Sequence, residues 1–401
     1  MEKAGASDRT RQRHEEQEHV RVPESDQPAP EIENQRRSLE LKQRKWWISV
    51  FFCAFLILVG ESLVTLLLNF YYVQDARQES DQDKQYSGTW TQSLIQNAAF
   101  PILVPLFLLF PLPKPNPETS SNVNETDHHN LRFRLLLLYF SLGVLVAAHS
   151  KLYALGKLYA NYGFFSWISA TQLIFTSIFT ALINRFKFNR WVIISMIITI
   201  LAYIFGTPEF GGSPDEDEEF YNLQAWCTFS ANVAFSLSLC IMQLGFEKVL
   251  VKMNKKGFRM VLEMQICVSL IASLICLVGL FASGEFKELK LDFEGFNKGK
   301  SYYILSLVGL ALSWQVWAVG LTGLVFYVSG LFADVVHMCV SPVLALLVVY
   351  AFRFMDDDFG WPRRGALIGA VLAFASYVYF LRKTKKTEIA ELNPRENEAE
   401  V

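Results

Sequence analysis

From residue 46 onward the chain alternates between long apolar runs and short polar connections, whereas residues 1–45 contain no apolar run. Ten runs stand out, near 46–72, 93–110, 135–155, 163–183, 191–206, 223–247, 260–282, 302–324, 328–352 and 362–381. Most approach the roughly 20 residues that a helix needs to cross a hydrocarbon core about 30 Å thick. Because lipid offers the backbone no hydrogen-bond partner, each run predicts a helix rather than a loop or an open strand. The expected fold is an all-α integral membrane protein with ten transmembrane helices. No charge lies between Lys300 and Asp334, so the eighth and ninth runs nearly merge, and nine or eleven spans are the alternatives.

Composition narrows the functional classes. Hydrophobic residues make up 52% of the 401 and charged ones only 19%, against about 25% charged in an ordinary soluble domain. Disordered and fibrous chains are excluded. A formal charge of −2 gives no basic field for phosphates, which removes nucleic acid as a partner. If the N-terminus is cytosolic, the loops on that side carry twenty Lys and Arg against ten on the other. Basic residues accumulate on the cytosolic side, so both termini are expected there, with the lipid bilayer around the body of the chain.

Residues 1–45 then form a disordered, mixed-charge tail without a cleavable signal, residues 383–401 a second tail, and the acidic stretch 207–222 an extracytosolic linker. The sequon Asn124-Glu125-Thr126 falls on the cytosolic side, and its glycosylation would overturn this topology. All six cysteines lie inside runs without metal-ligand spacing, as small buried apolar residues do. Neither a metal nor a cofactor is expected. Nucleotide-binding, zinc-protease and serine-hydrolase motifs are missing from the loops, which argues against an enzyme. Phe286, Leu289, Phe293 and Phe296 recur at helical spacing among charges, the pattern of a short interfacial helix.

Carriers are often built from two halves, inverted when each has an odd number of spans. A shift of 164 residues brings Tyr139 onto Tyr303 and the stretch 152–156 onto 316–320, and it aligns the fourth run with the ninth. The expected architecture is two inverted five-helix repeats, residues 46–206 and 223–382.

Polar side chains at bilayer depth are expensive and therefore candidate functional residues. Glu61, with Ser62 beside it, shares a helical stripe with Thr65 and Asn69 and is the candidate proton or cation site. Asp334, His337 and Ser341 share a face of the ninth run and suit a proton relay or a heterocycle site. Gln96 and Gln172 offer amides that match the edge of a purine ring. Trp314, Gln315 and Trp317 combine flat apolar faces with an amide, the chemistry that holds a planar nitrogen heterocycle. Each also has a structural reading: helix-to-helix hydrogen bonding for the polar residues, an interfacial belt for the tryptophans. Lys151, near a span end, reads as snorkelling to the outer surface.

Several segments resemble the plant purine permeases of the drug/metabolite transporter superfamily. They are Asn69-Phe70-Tyr71-Tyr72, Trp90, Gln96 and Phe100-Pro101-Ile102-Leu103; then Tyr153-Ala154, Gly156, Tyr159, Ser166, Ala170 and Gln172-Leu173; and finally Glu263-Met264-Gln265, Trp314-Gln315, Pro342 and Ser376-Tyr377. In order and spacing they cover roughly residues 46 to 382. The resemblance implies a ten-helix inverted-repeat fold and proton-coupled uptake of adenine, other purines, cytokinins and related alkaloids. The chain departs from the family pattern at residues 160–164, and by having Glu61 for a common Gln, Lys151 for an apolar residue and Asp334 for a small neutral one. A site containing Glu61 and Asp334 also suits a cationic alkaloid. The leading expectation is a proton-coupled importer in the plasma membrane working by alternating access. In it Glu61 and Asp334 handle the cation, and Gln96, Gln172, Trp314, Gln315, Trp317 and His337 contact the substrate. An exporter or exchanger on the same fold and a non-transporting receptor are the rivals, and homo-oligomerisation is left open.

Overall fold

The computed structural model describes residues 29–74, 88–110, 125–158, 162–206, 218–250, 257–347 and 360–392. The regular elements among them are all helical: α1 Ala29–Gln74, α2 Thr89–Ala98, α3 Leu103–Leu109, α4 Glu125–Leu158, α5 Tyr162–Leu182, α6 Arg190–Gly206, α7 Glu218–Leu244, α8 Arg259–Ser283, α9 Leu289–Gly295, α10 Lys300–Tyr327, α11 Gly330–Leu346 and α12 Trp361–Leu392. Two compact units are distinguished, Met1–Ile48 and Ser49–Val401. In the first, the described stretch 29–48 is helical; the second holds everything that follows.

Among the described residues, seven helices are long and apolar enough to cross a membrane, and three shorter apolar ones accompany them: Ser166–Leu182, Arg190–Gly206 and Gly330–Leu346. The protein is an all-α integral membrane protein. Where they are described, the predicted runs fall on helical segments, with informative differences at their ends; residues 348–352 of the ninth run lie outside the described residues. Helix α1 starts at Ala29, ahead of the apolar run, because residues such as Glu40, Leu41, Lys42 and Gln43 are strong helix formers that hydropathy does not register. The second run is broken by a 3₁₀ turn at Phe100–Ile102 that carries Pro101 near its start. A proline has no N–H to donate, so the α-helical ladder is interrupted there. The eighth and ninth runs separate at Ser329, whose hydroxyl accepts the Phe332 N–H at 3.1 Å and caps α11. Residues 284–300 form a 3₁₀ turn and the short helix α9, with Phe296 buried against Tyr71 and Tyr303. The sequon asparagine, residues 1–28 of the N-terminal tail, 207–217 of the acidic linker and 393–401 lie outside the described residues.

Helices in lipid gain little from apolar burial against one another and associate through close packing and interhelical hydrogen bonds. Both devices are present. Small residues let backbones touch: a Cβ on Gly60 of α1 would lie 2.5 Å from the Trp317 nitrogen of α10, and one on Gly320 of α10 would lie 2.7 Å from the Cys53 carbonyl oxygen of α1. A polar seam joins α5 to α7, where Thr176 donates to Ser236 at 2.9 Å and Asn232 donates to the Ile168 carbonyl at 2.8 Å.

Candidate substrate site

Three helices turn one face each to a common cavity. Helical periodicity puts Val146, His149 and Ser150 on one face of α4, Phe235, Ser238, Leu239 and Met242 on one face of α7, and Trp314, Trp317, Ala318, Leu321 and Thr322 on one face of α10. Gln96 and Asn97 at the end of α2 and Gln265 and Val268 of α8 complete the lining of a cavity of about 60 Å³. Aromatic rings form the wall. Trp317 meets Trp314 edge-on at 5.4 Å and stacks on Phe235 at 6.1 Å, and Phe235 in turn packs on His149 at 4.9 Å. A smaller recess of about 10 Å³, lined by Tyr71, Gln92 and Leu310 among others, shares Trp314 with this cavity.

Of the residues expected to contact substrate, Gln96, Trp314 and Trp317 line this cavity. Gln315 is buried behind it, its amide donating to the Asn97 carbonyl at 3.2 Å and lying 3.5 Å from Gln265 and Ser269. Gln172 lies elsewhere, donating to Asp334 at 2.5 Å across the contact of α5 with α11. Asp334 is completely buried. His337 Nδ1 is 2.9 Å from a carboxylate oxygen of Glu61, and its ring packs on Trp317 at 5.4 Å and Phe235 at 5.7 Å. The Glu61–His337 pair therefore stands directly behind the aromatic wall.

Lys151 is not a snorkelling residue. It hydrogen-bonds to Thr89, lies 3.6 Å from the Glu285 carboxylate and sits over the Trp90 ring at 4.3 Å. Glu285 also accepts the backbone N–H of Trp90 at 2.8 Å, so one carboxylate both caps α2 and neutralises the lysine. Snorkelling requires a free path to water, and the carboxylate offers a nearer partner. Sequence inspection missed His149 and Phe235 as wall residues. Their signal was helical register with neighbours that point the same way, which is visible only once the rotation of α4 and α7 is known.

A bundle of apolar helices around a cavity of aromatics and amides suits a membrane protein that handles a small solute. Comparison with known proteins identifies which. The family described as purine nucleobase transmembrane transport matches residues 48–387, and the chain belongs to it. Its relatives in Arabidopsis thaliana include probable purine permease 23, 65% identical with 97% of each chain covered, and probable purine permease 17, 66% identical with 100% of each covered. Purine permease 14 of the same plant is 37% identical, covering 86% of this chain and 89% of its own. One solved structure, 10% identical, aligns over 82% of this chain and 97% of its own with a TM-score of 0.47. The protein is a membrane transporter of purine nucleobases and not an enzyme.

Proposed function

We propose that the chain imports a purine base, or a related planar nitrogen heterocycle such as a cytokinin or alkaloid, together with a proton. It does so across the plasma membrane, with both termini in the cytosol. The observation that carries this reading is the Glu61–His337 pair in ring contact with Trp317, itself part of the cavity wall. A proton arriving at that pair changes its charge beside the substrate, which is the coupling a symporter needs. Asp334, one turn before His337 and held by Gln172, completes the proton path. Gln96 bonds to the ring edge while Trp314 and Trp317 pack on its face; Gln315 and Gln172 hold the helices that present them.

We read the architecture as ten spans in two inverted halves, residues 46–206 and 223–382, joined by the acidic linker 207–222. Close packing supports the halves. Gly156, which the shift of 164 pairs with Gly320, is likewise a close-approach position: a Cβ there would lie 3.2 Å from the Thr228 nitrogen of α7. The third span thus meets the sixth as the eighth meets the first. On this topology the cavity runs from the midplane toward the cytosol through Met242 and Thr322, and the Lys151–Glu285–Thr89 cluster closes the outer end. Alternating access then amounts to breaking that cluster while closing the inner path.

The test is uptake of labelled adenine by purine-uptake-deficient yeast expressing the chain, at pH 5 and pH 7.5, with and without a protonophore. Uptake that is greater in acid and collapses with the protonophore is expected, and Glu61→Gln abolishes the acid stimulation. Equal uptake at both pH values, insensitive to the protonophore, refutes proton coupling.

A further inference from the structure

Three groups at the cavity carry polar atoms without a protein partner, and they differ in how firmly their polarity is fixed. The Trp317 indole N–H is unpartnered and is a donor only. Gln96, 7% exposed with Nε2 unpartnered, can turn its amide over and present either a donor or an acceptor. His149 has no such freedom. Its Nδ1 lies 3.1 Å from the Ala231 carbonyl oxygen. A carbonyl accepts and never donates, so the proton sits on Nδ1, and in the neutral ring Nε2 carries the lone pair. Packing on Phe235 at 4.9 Å and Tyr153 at 5.8 Å holds the ring in place. No other hydrogen bond to it is made among the described residues.

We propose that His149 Nε2 is the acceptor that reads the ring N–H of the purine, which makes His149 the residue separating free bases from their N-substituted derivatives. The inference rests on the cavity being the purine site. A free purine base carries an N–H on its five-membered ring, and attaching a sugar or alkyl group to that nitrogen removes the donor. On the same edge, the neighbouring ring nitrogen N3 offers a lone pair beside N9–H. One edge of the base thus presents a donor and an acceptor together. His149 and Trp317 both line the cavity, and in the proposed pose Nε2 accepts from the ring N–H while the Trp317 indole N–H donates to N3. A ligand without the N–H leaves Nε2 desolvated and unpaired, and sites built to hydrogen-bond a group reject analogues that lack it far more strongly than apolar pockets reject a methyl group.

The test is competition against labelled adenine uptake by unlabelled adenine, by 9-methyladenine, and by an adenine isostere with oxygen in place of the ring N–H. Wild type, His149→Gln and His149→Phe are compared, each normalised to protein at the cell surface. On wild type both analogues compete at least tenfold less well than adenine; the isostere matches adenine in size, so its loss reports the hydrogen bond and requires no variant. His149→Gln keeps an acceptor near the Nε2 position and so keeps adenine, but its amide can turn over and donate to the oxygen isostere, whose competition then rises toward that of adenine. His149→Phe weakens adenine at least tenfold and leaves the analogues unchanged, so the preference collapses. If the isostere equals adenine on wild type, or His149→Phe retains the preference, the role of His149 is overturned while the purine site stands. If wild type takes up no adenine, the functional reading itself has failed.

Discussion

Gly60 immediately precedes the proposed coupling residue, and Gly60→Ala tests the link between packing and coupling. The added Cβ would lie 2.5 Å from the Trp317 nitrogen and 2.8 Å from both its Cα and its Cβ. These atoms belong to backbone and Cβ, so no rotamer change relieves the overlap. Restoring an ordinary carbon contact of about 3.5–4.0 Å requires α1 to move away from α10 by roughly 1 Å. Overpacking of this kind costs about 1–3 kcal/mol. The same movement carries Glu61 with α1 and disturbs its 2.9 Å contact with His337 of α11, since that hydrogen bond tolerates only a few tenths of an ångström. The expected result is a lower unfolding temperature of the solubilised protein and a pH 5 to pH 7.5 uptake ratio that falls toward one. Gly365→Ala is the control: nothing lies within 4 Å of its Cβ, so it is neutral or stabilises by up to about 1 kcal/mol. Gly320→Ala opens the same crossing from the other helix, so combining it with Gly60→Ala should cost clearly less than the sum. A Gly60→Ala protein as stable as wild type would refute the close approach, and one that is destabilised yet fully acid-stimulated would refute the link from this packing to coupling.

Other expectations follow from individual contacts. Glu285→Ala removes the cap on α2 and the partner of Lys151, and should destabilise by about 1–3 kcal/mol in thermal unfolding; Glu285→Gln, which still accepts the Trp90 N–H, should recover part of that. Asp334→Asn keeps an acceptor for Gln172 and should fold normally while losing acid stimulation of uptake, whereas Asp334→Leu orphans the Gln172 amide and should lower stability by about 1–3 kcal/mol. Trp317→Phe keeps an aromatic wall but removes the unpartnered indole N–H. It should raise KM for adenine about tenfold with little change in unfolding temperature, as loss of one buried polar contact of about 1.4 kcal/mol predicts.

Much of the helical framework was legible because lipid imposes one rule on every segment, and run length alone locates the helices. Helix ends were less legible. The start of α1 at Ala29 follows from propensity rather than hydropathy, and the break at Ser329 is a single capping side chain in a long uncharged stretch. The site was half legible. Hydropathy marks Glu61, His337, Asp334 and the glutamines as costly, but a helix carries polar groups around its whole circumference, and sequence gives no rotation relative to neighbours. That is why Gln315, adjacent to two cavity-lining tryptophans, turns instead toward Asn97 and Gln265, and why His149 went unranked. Lys151 was misread for a related reason, since its partner Glu285 lies 134 positions away in a loop.

Hydrogen-bond satisfaction sorts these intramembrane polar residues better than their chemistry does. In hydrocarbon an unpaired polar group is costly, so a side chain whose capacity is spent on protein partners is bound to the helix contact it joins. Thr176 with Ser236, Asn232 with Ile168, Gln265 with Thr322 and Gln315 with Asn97 are of this kind. Gln96 and Trp317 differ: each borders the cavity and keeps a buried donor unmatched. Leaving such groups unpaired weakens the empty state, and a substrate that pairs with them recovers that loss on binding. Exposure rather than satisfaction separates the two carboxylates, since Asp334 pairs one oxygen with Gln172 and keeps the other buried without a partner. Asp334 is fully buried against Gln172, whereas Glu61 is partly exposed and faces an imidazole that touches the cavity wall. A proton exchanging with water during a transport cycle needs access as well as a partner, so in the proposed mechanism Glu61 is the group from which the cycle starts, with Asp334 behind it.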